Sequence, residues 1–64
     1  MIKVGELIDL IETTQETEII ITGCGSVHAE AETLVQVLKD EITEMAVTGV
    51  EIHGEHLRMW AESR

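Results

Sequence analysis

The stretch EIIITGCGSVH, residues 18–28, decides how the chain is read. Three consecutive isoleucines run into a Gly-Cys-Gly-Ser loop, and apolar residues at helical spacing follow. The segment TEIIIT, residues 17–22, is short, β-branched and apolar at adjacent positions, which predicts a strand covered on both faces. Beyond the loop, Ala31, Leu34, Val35, Leu38, Ile42 and Met45 keep a helical period, so 28–44 reads as a helix. Gln36, Lys39, Asp40, Thr43 and Glu44 form its wet side. Ser26 is its expected N-cap, and Glu30 and Glu32 suit the positive end of its dipole.

Upstream, Val4, Leu7, Ile8 and Ile11 make one apolar stripe, widened by Leu10, so 3–13 reads as a first helix. Glu6, Asp9 and Glu12 lie opposite that stripe, and Thr13, Thr14, Gln15 and Glu16 form a turn. Downstream, residues 46–62 alternate around one turn and read as a β-hairpin. With Gly54 and Glu55 as the loop, His53 faces His56, Ile52 faces Leu57, Glu51 faces Arg58, Val50 faces Met59 and Gly49 faces Trp60. Each pair is complementary, and the slipped register would set Ile52 against Glu55. Glycine in the first loop position also suits a type II′ turn.

The expected fold is therefore α+β: a single αβαββ domain over 1–64, with two helices on one face of a three-stranded sheet. The unit 17–53 forms a right-handed crossover if its strands are parallel neighbours. Val50, Ile52, Leu57 and Met59 point toward the helices. Gly49, Glu51, His53, His56, Arg58 and Trp60 point away from them, together with an isoleucine of the first strand, Ile20. A face holding Trp60 and Ile20 over Gly49 with no helix of its own marks an oligomer interface. Covering it is worth several kcal/mol at ~25 cal/mol per Å².

Size and charge narrow the function. A chain of 64 residues buries little of its own surface, and Cys24, its only cysteine, cannot form a disulfide within the chain, so oligomerisation is the expected staple. Thirteen Asp and Glu against four Lys and Arg give a net charge of −9, which repels nucleic acid and favours a partner protein with a basic surface. The apolar fraction of 44% falls in periodic patterns, so an ordered domain is expected despite that charge. A lone cysteine, no apolar run near the ~20 residues of a membrane span, and a start without a signal-peptide core fit a soluble protein of the cytoplasm.

Four constellations could carry chemistry. Gly23, Gly25 and Ser26 before a helix would offer backbone N–H groups to an anion, with Arg58 or Lys39 of a neighbouring copy adding charge. The loop lacks a P-loop lysine and a third glycine, and Glu30 and Glu32 oppose an anion, so a plain strand-to-helix turn is the first reading. Cys24 has His28 four residues on but no third orienting group, and reads as a small buried residue. His53 and His56, with Glu51 and Glu55 nearby, make at most half a zinc site, so no metal or cofactor is expected. The acidic helix faces, Glu6, Asp9 and Glu12 with Asp40, Glu41 and Glu44, can imitate a phosphate backbone toward a basic groove.

The opening MIKVGELIDLIETTQETEIII, with Glu6-Leu7-Ile8, Leu10-Ile11 and Glu18-Ile19-Ile20-Ile21, resembles many small phage and prophage proteins. The closing VTGVEIHGEHLRMW is similar to the terminal hairpin of such proteins. The resemblance implies a phage or mobile-element origin. It brings two functional classes: inhibitors of host defence such as anti-CRISPR proteins, and oligomeric sponges that sequester nucleotide signals. The leading expectation is a non-enzymatic, phage-type inhibitor acting in the host cytoplasm through its acidic surface. Alternatives are an oligomeric binder of an anionic nucleotide and a structural phage accessory protein.

Overall fold

A computed structural model describes residues 1–63 as three short helices and one four-stranded sheet. In chain order these are α1 (Val4–Asp9), β1 (Glu16–Ile21), β2 (Gly25–Glu30), α2 (Ala31–Val37), α3 (Asp40–Thr43), β3 (Ala46–His53) and β4 (His56–Glu62). The fold class is α+β, as expected, and the strand order is β2-β1-β4-β3. β1 runs antiparallel to β2 and parallel to β4, while β3 and β4 form an antiparallel hairpin.

The Gly-Cys-Gly loop is where expectation and structure part. It leads not into a helix but into a second strand, so the sheet has four strands instead of three. Gly23 (φ 82°) and Gly25 (φ 112°) supply the positive backbone angles of the turn, and the Cys24 N–H donates to the Ile21 carbonyl at 2.9 Å. Ser26 is therefore a strand residue opposite Ile20, not a helix cap, and Cys24 is exposed in the turn rather than buried. The helix expected over 28–44 begins only at Ala31 and breaks after Val37, where Leu38 (ψ 135°) and Lys39 (ψ 155°) are extended. The first helix is likewise shorter than 3–13. The parallel neighbour of β1 is the last strand, β4, so β3 lies at the sheet edge and 17–53 is no simple crossover.

The hairpin adopts the expected register, from His53↔His56 to Gly49↔Trp60. Gly54 (φ 60°) is its only loop residue with positive φ, which matches a type II′ turn. Past Gly49 the ladder shifts by a bulge, and the outer edge of β3 is then taken by the N-terminus. Lys3 bridges Ala46, the Val47 N–H donates to the Ile2 carbonyl, and the Val4 N–H donates to the Met45 carbonyl, both at 2.9 Å.

One side of the sheet carries the core. Thr17, Ile19 and Ile21 of β1 and Met59 and Ala61 of β4 are buried with Val4 and Ile8 of α1 and Ala31 and Leu34 of α2. Thr17, the one buried polar residue among those described, is satisfied by donating its hydroxyl to the Gln15 carbonyl at 2.9 Å. Leu38, Ile42 and Met45 close the layer from the α2–α3 segment. None of the described helices is long and apolar enough to cross a membrane.

The adjacent positions Leu34 and Val35 separate core from surface on one helix, at 0% and 56% exposure. Leu34→Ala should cost about 2–5 kcal/mol, a large share of the stability of so small a domain, whereas Val35→Ala should stay within about 0.5 kcal/mol. Urea unfolding followed by circular dichroism measures both.

Candidate functional site

The side of the sheet away from the helices is not a bare apolar patch. Its side chains form three rows across the four strands, set by the registers β2↔β1, β1↔β4 and β4↔β3. Glu30, Glu16, His56 and His53 make the first row, and His28, Glu18, Arg58 and Glu51 the second. Ser26, Ile20, Trp60 and Gly49 make the third. Two of the rows are polar: the first sets two acids beside two histidines, and in the second bases and acids alternate.

These groups are bonded to one another. Arg58 Nε donates to Glu18 Oε1 at 2.9 Å, and its Nη1 lies 3.5 Å from Glu51 Oε1. His56 Nε2 is 3.3 Å from the same Glu18 oxygen, His28 Nε2 is 3.1 Å from Glu16, and His53 Nε2 is 2.9 Å from Glu51. The His28 and His56 rings meet edge to face with centroids 4.4 Å apart, spanning β1. All three histidines therefore belong to one carboxylate network with Arg58. Trp60 and Ile20 sit together at its end, half-buried, with the Trp60 ring over the bare backbone of Gly49. The three expected interface residues thus share one face, and the charged network occupies most of it.

Glu18 is the hub. The Arg58 hydrogen bond holds its carboxyl below the ordinary 4.5 against the partial burial that pushes it up, and the His56 bond adds to the lowering. No group of three or more His, Cys, Asp or Glu able to hold a metal ion converges among the described residues, and each imidazole faces a different carboxylate: His28 faces Glu16, His56 faces Glu18 and His53 faces Glu51. Cys24 and His28 are not a pair: Cys24 is in the exposed turn, and the His28 ring lies against Glu16 and His56. The supposed anion loop lacks the helix start that would have given it donors. Arg58, its expected helper, is already held by two carboxylates.

The expected acidic faces are redistributed over the helix layer. Glu6, Asp9 and Glu44 converge on a groove of about 320 Å³ between the helices, with Gly5, Ile8 and Val35 as its apolar lining. Lys3 reaches across one wall to Glu44 at 2.7 Å, which raises the Lys3 ammonium above its ordinary 10.5. Asp9 makes no ion pair among the described residues. Glu12, beyond the end of α1, instead lines a second, wider recess with Glu16 and Glu55. Asp40 and Glu41 fall in the first turn of α3, outside the lining of either recess.

Sequence reasoning missed Glu16, Glu18 and His28 as members of the open-face network. The signal was the alternation Ser26-Val27-His28-Ala29-Glu30, polar and apolar by turns, which has the period of a strand. Comparison with protein-family models, curated proteins and solved structures finds no match to this chain.

The lowered Glu18 carboxyl fixes the sign of an acid effect. Its contribution is complete above the unfolded value near 4.5 and is lost as pH falls through the lower folded value. Glu18→Gln should therefore melt below the parent at about pH 6, and the gap should close as pH drops toward about 3. Calorimetric melting across that range measures the convergence.

Proposed function

We propose that this chain is a non-enzymatic interaction protein that presents an acidic, apolar-floored groove to a basic partner protein. The observation that carries the reading is the convergence of Glu6, Asp9 and Glu44 on Ile8, Gly5 and Val35 between three helices. A groove of this composition fits an arginine or lysine side chain twice over. Asp9, which makes no ion pair among the described residues, meets the charged head beside Glu6 and the Lys3-bonded Glu44, and the apolar floor meets the aliphatic stem. The excess of thirteen acids over four bases strengthens the encounter with such a surface.

The basic partner best matched to that charge is a protein that itself handles nucleic acid, since its binding surface is built to attract phosphate. The likeness of the opening helix and closing hairpin to phage proteins supports the same reading, an inhibitor of the anti-CRISPR kind that occupies a basic groove. Glu16, Glu18 and Glu51 of the open face are already engaged by His28, His56, Arg58 and His53, which favours the helix layer as the contact surface. A nucleotide-binding role loses its structural support, because Gly23, Gly25 and Ser26 open no helix.

Competition between this chain and DNA for CRISPR-type nucleases with basic grooves tests the proposal. Displacement of DNA by the parent chain is expected from at least one of them. The double change Asp9→Lys with Glu44→Lys should weaken displacement about tenfold or more, and raising salt should weaken it further. A parent chain that displaces nothing, or a variant that competes as well as the parent, overturns it.

A further inference from the structure

The sheet has two outer edges, and they are not alike. β2 exposes Gly25, Ser26, His28 and Glu30 and keeps Val27 and Ala29 half-buried beside α2. On β3 the first half is sealed by Ile2–Val4 and ends in the bulge at Val47/Gly49. The second half, from Val50 to His53, has no such cover among the described residues. It also lacks the lysine, proline or bulge with which edge strands ordinarily discourage pairing.

Two features of this half-edge point outward together. A hairpin with a two-residue loop closes on a hydrogen-bonded pair, here His53↔His56, and bonded and non-bonded pairs then alternate. Glu51 consequently turns its backbone groups to β4, while Val50 and Ile52 turn theirs to the free edge. The side chains of the same two residues are 50% and 65% exposed, on the helix-layer side but beyond the reach of the helices. Unused backbone donors and acceptors are thus bordered by uncovered aliphatic side chains.

We infer that this half-edge pairs antiparallel with the same half-edge of a second copy, about a two-fold axis at Ile52, joining two sheets into one. Continuity of the two faces requires a residue to sit on the axis. Centring on Glu51 sets Glu51 against its own symmetry mate, like charge on like charge. Centring on Ile52 sets Ile52 against Ile52 on the helix side. On the other side it sets the Glu51 carboxylate of each copy against the His53 imidazole of its mate, twice. Those two groups already bond within one copy at 2.9 Å, so the pairing exchanges or shares an existing contact instead of stranding a charge. The sequence Glu51-Ile52-His53 is therefore complementary to its own reverse.

The contact differs from an interface over Trp60 and Ile20, and it leaves the helix groove free. A four-residue edge falls well short of the ~1,000 Å² of a stable interface, so the association is weak and concentration-dependent. The net charge of −9 on each copy opposes it, and added salt favours it by screening. That salt dependence is opposite in sign to the one expected of the helix groove.

Analytical ultracentrifugation over about 10–500 μM, at low and moderate salt, gives the primary test, and a mass rising from monomer toward dimer is expected. Ile52→Lys, at an exposed site, should remain monomeric while circular dichroism and melting stay unchanged. His53→Glu should raise the dissociation constant about tenfold by opposing acids across the axis. Opposed bonded residues lie about 5.5 Å apart at Cα, within disulfide range. Ile52→Cys in a Cys24→Ser background should therefore cross-link on mild oxidation. A parent chain monomeric throughout overturns the inference, and so does an Ile52→Lys variant that still associates, which would move the contact to another surface. A monomeric chain whose 50–53 amide signals shift with an alternating Lys-Val peptide would assign the edge to a basic strand instead.

Discussion

β1 is hydrogen-bonded along both edges, to β2 on one side and to β4 on the other. The rest of the molecule depends on that placement. Because it is interior to the sheet, its alternation sorts side chains with no latitude: Thr17, Ile19 and Ile21 enter the core, and Glu16, Glu18 and Ile20 face away. A slip of one residue would bury Glu18 and expose Ile19, which the core could not survive. The helices then need only cap a platform that β1 has already oriented. Three short helices of four to seven residues suffice, because their stability comes from packing on that platform rather than from their own length.

The same alternation sets a bonded network of carboxylates, histidines and an arginine on the open face. Glu18 lies between His28 and Arg58 in register, so a carboxylate at the centre of the sheet has bases on both flanks. Arg58 extends the chain of contacts to Glu51, and Glu51 passes it to His53. On the helix layer, Asp9, Asp40 and Glu41 make no ion pair among the described residues. The two sides of the sheet thus differ electrostatically: a bonded network of carboxylates, histidines and Arg58 lies on one, and the groove of Glu6, Asp9 and Glu44 on the other.

Legibility in the sequence followed the range of the interactions. The β3–β4 register was readable because its five pairs are local and mutually selective, and the Gly54 turn is one that a short loop requires. The first helix was placed correctly but drawn too long, since Leu10 and Ile11 continue its apolar stripe past its last turn. Residues 28–30 read as helix because the period of α2 extrapolates backward through Ala31, masking the alternation of Val27 and Ala29. Two glycines with positive φ two positions apart were the better guide, marking a reversal rather than a helix start. The break at Leu38 and Lys39 has no glycine or proline to announce it. With 28–30 assigned to a helix, His28 has no place on the open face, and the network around Glu18 cannot be read. The acidic residues were identifiable by type, but their convergence on one groove depended on how α1, α2 and α3 pack.

The parallel pairing of β1 with β4 has a consequence for biosynthesis. Glu16 is matched to His56 and Ile21 to Ala61, partners that leave the ribosome long after β1 has emerged. The nascent chain can close the β1–β2 hairpin early, but the middle of the sheet stays vacant until β4 has been made. Folding of the sheet is therefore held back until β4 has been made, and loss of β4 removes a central strand instead of trimming a margin.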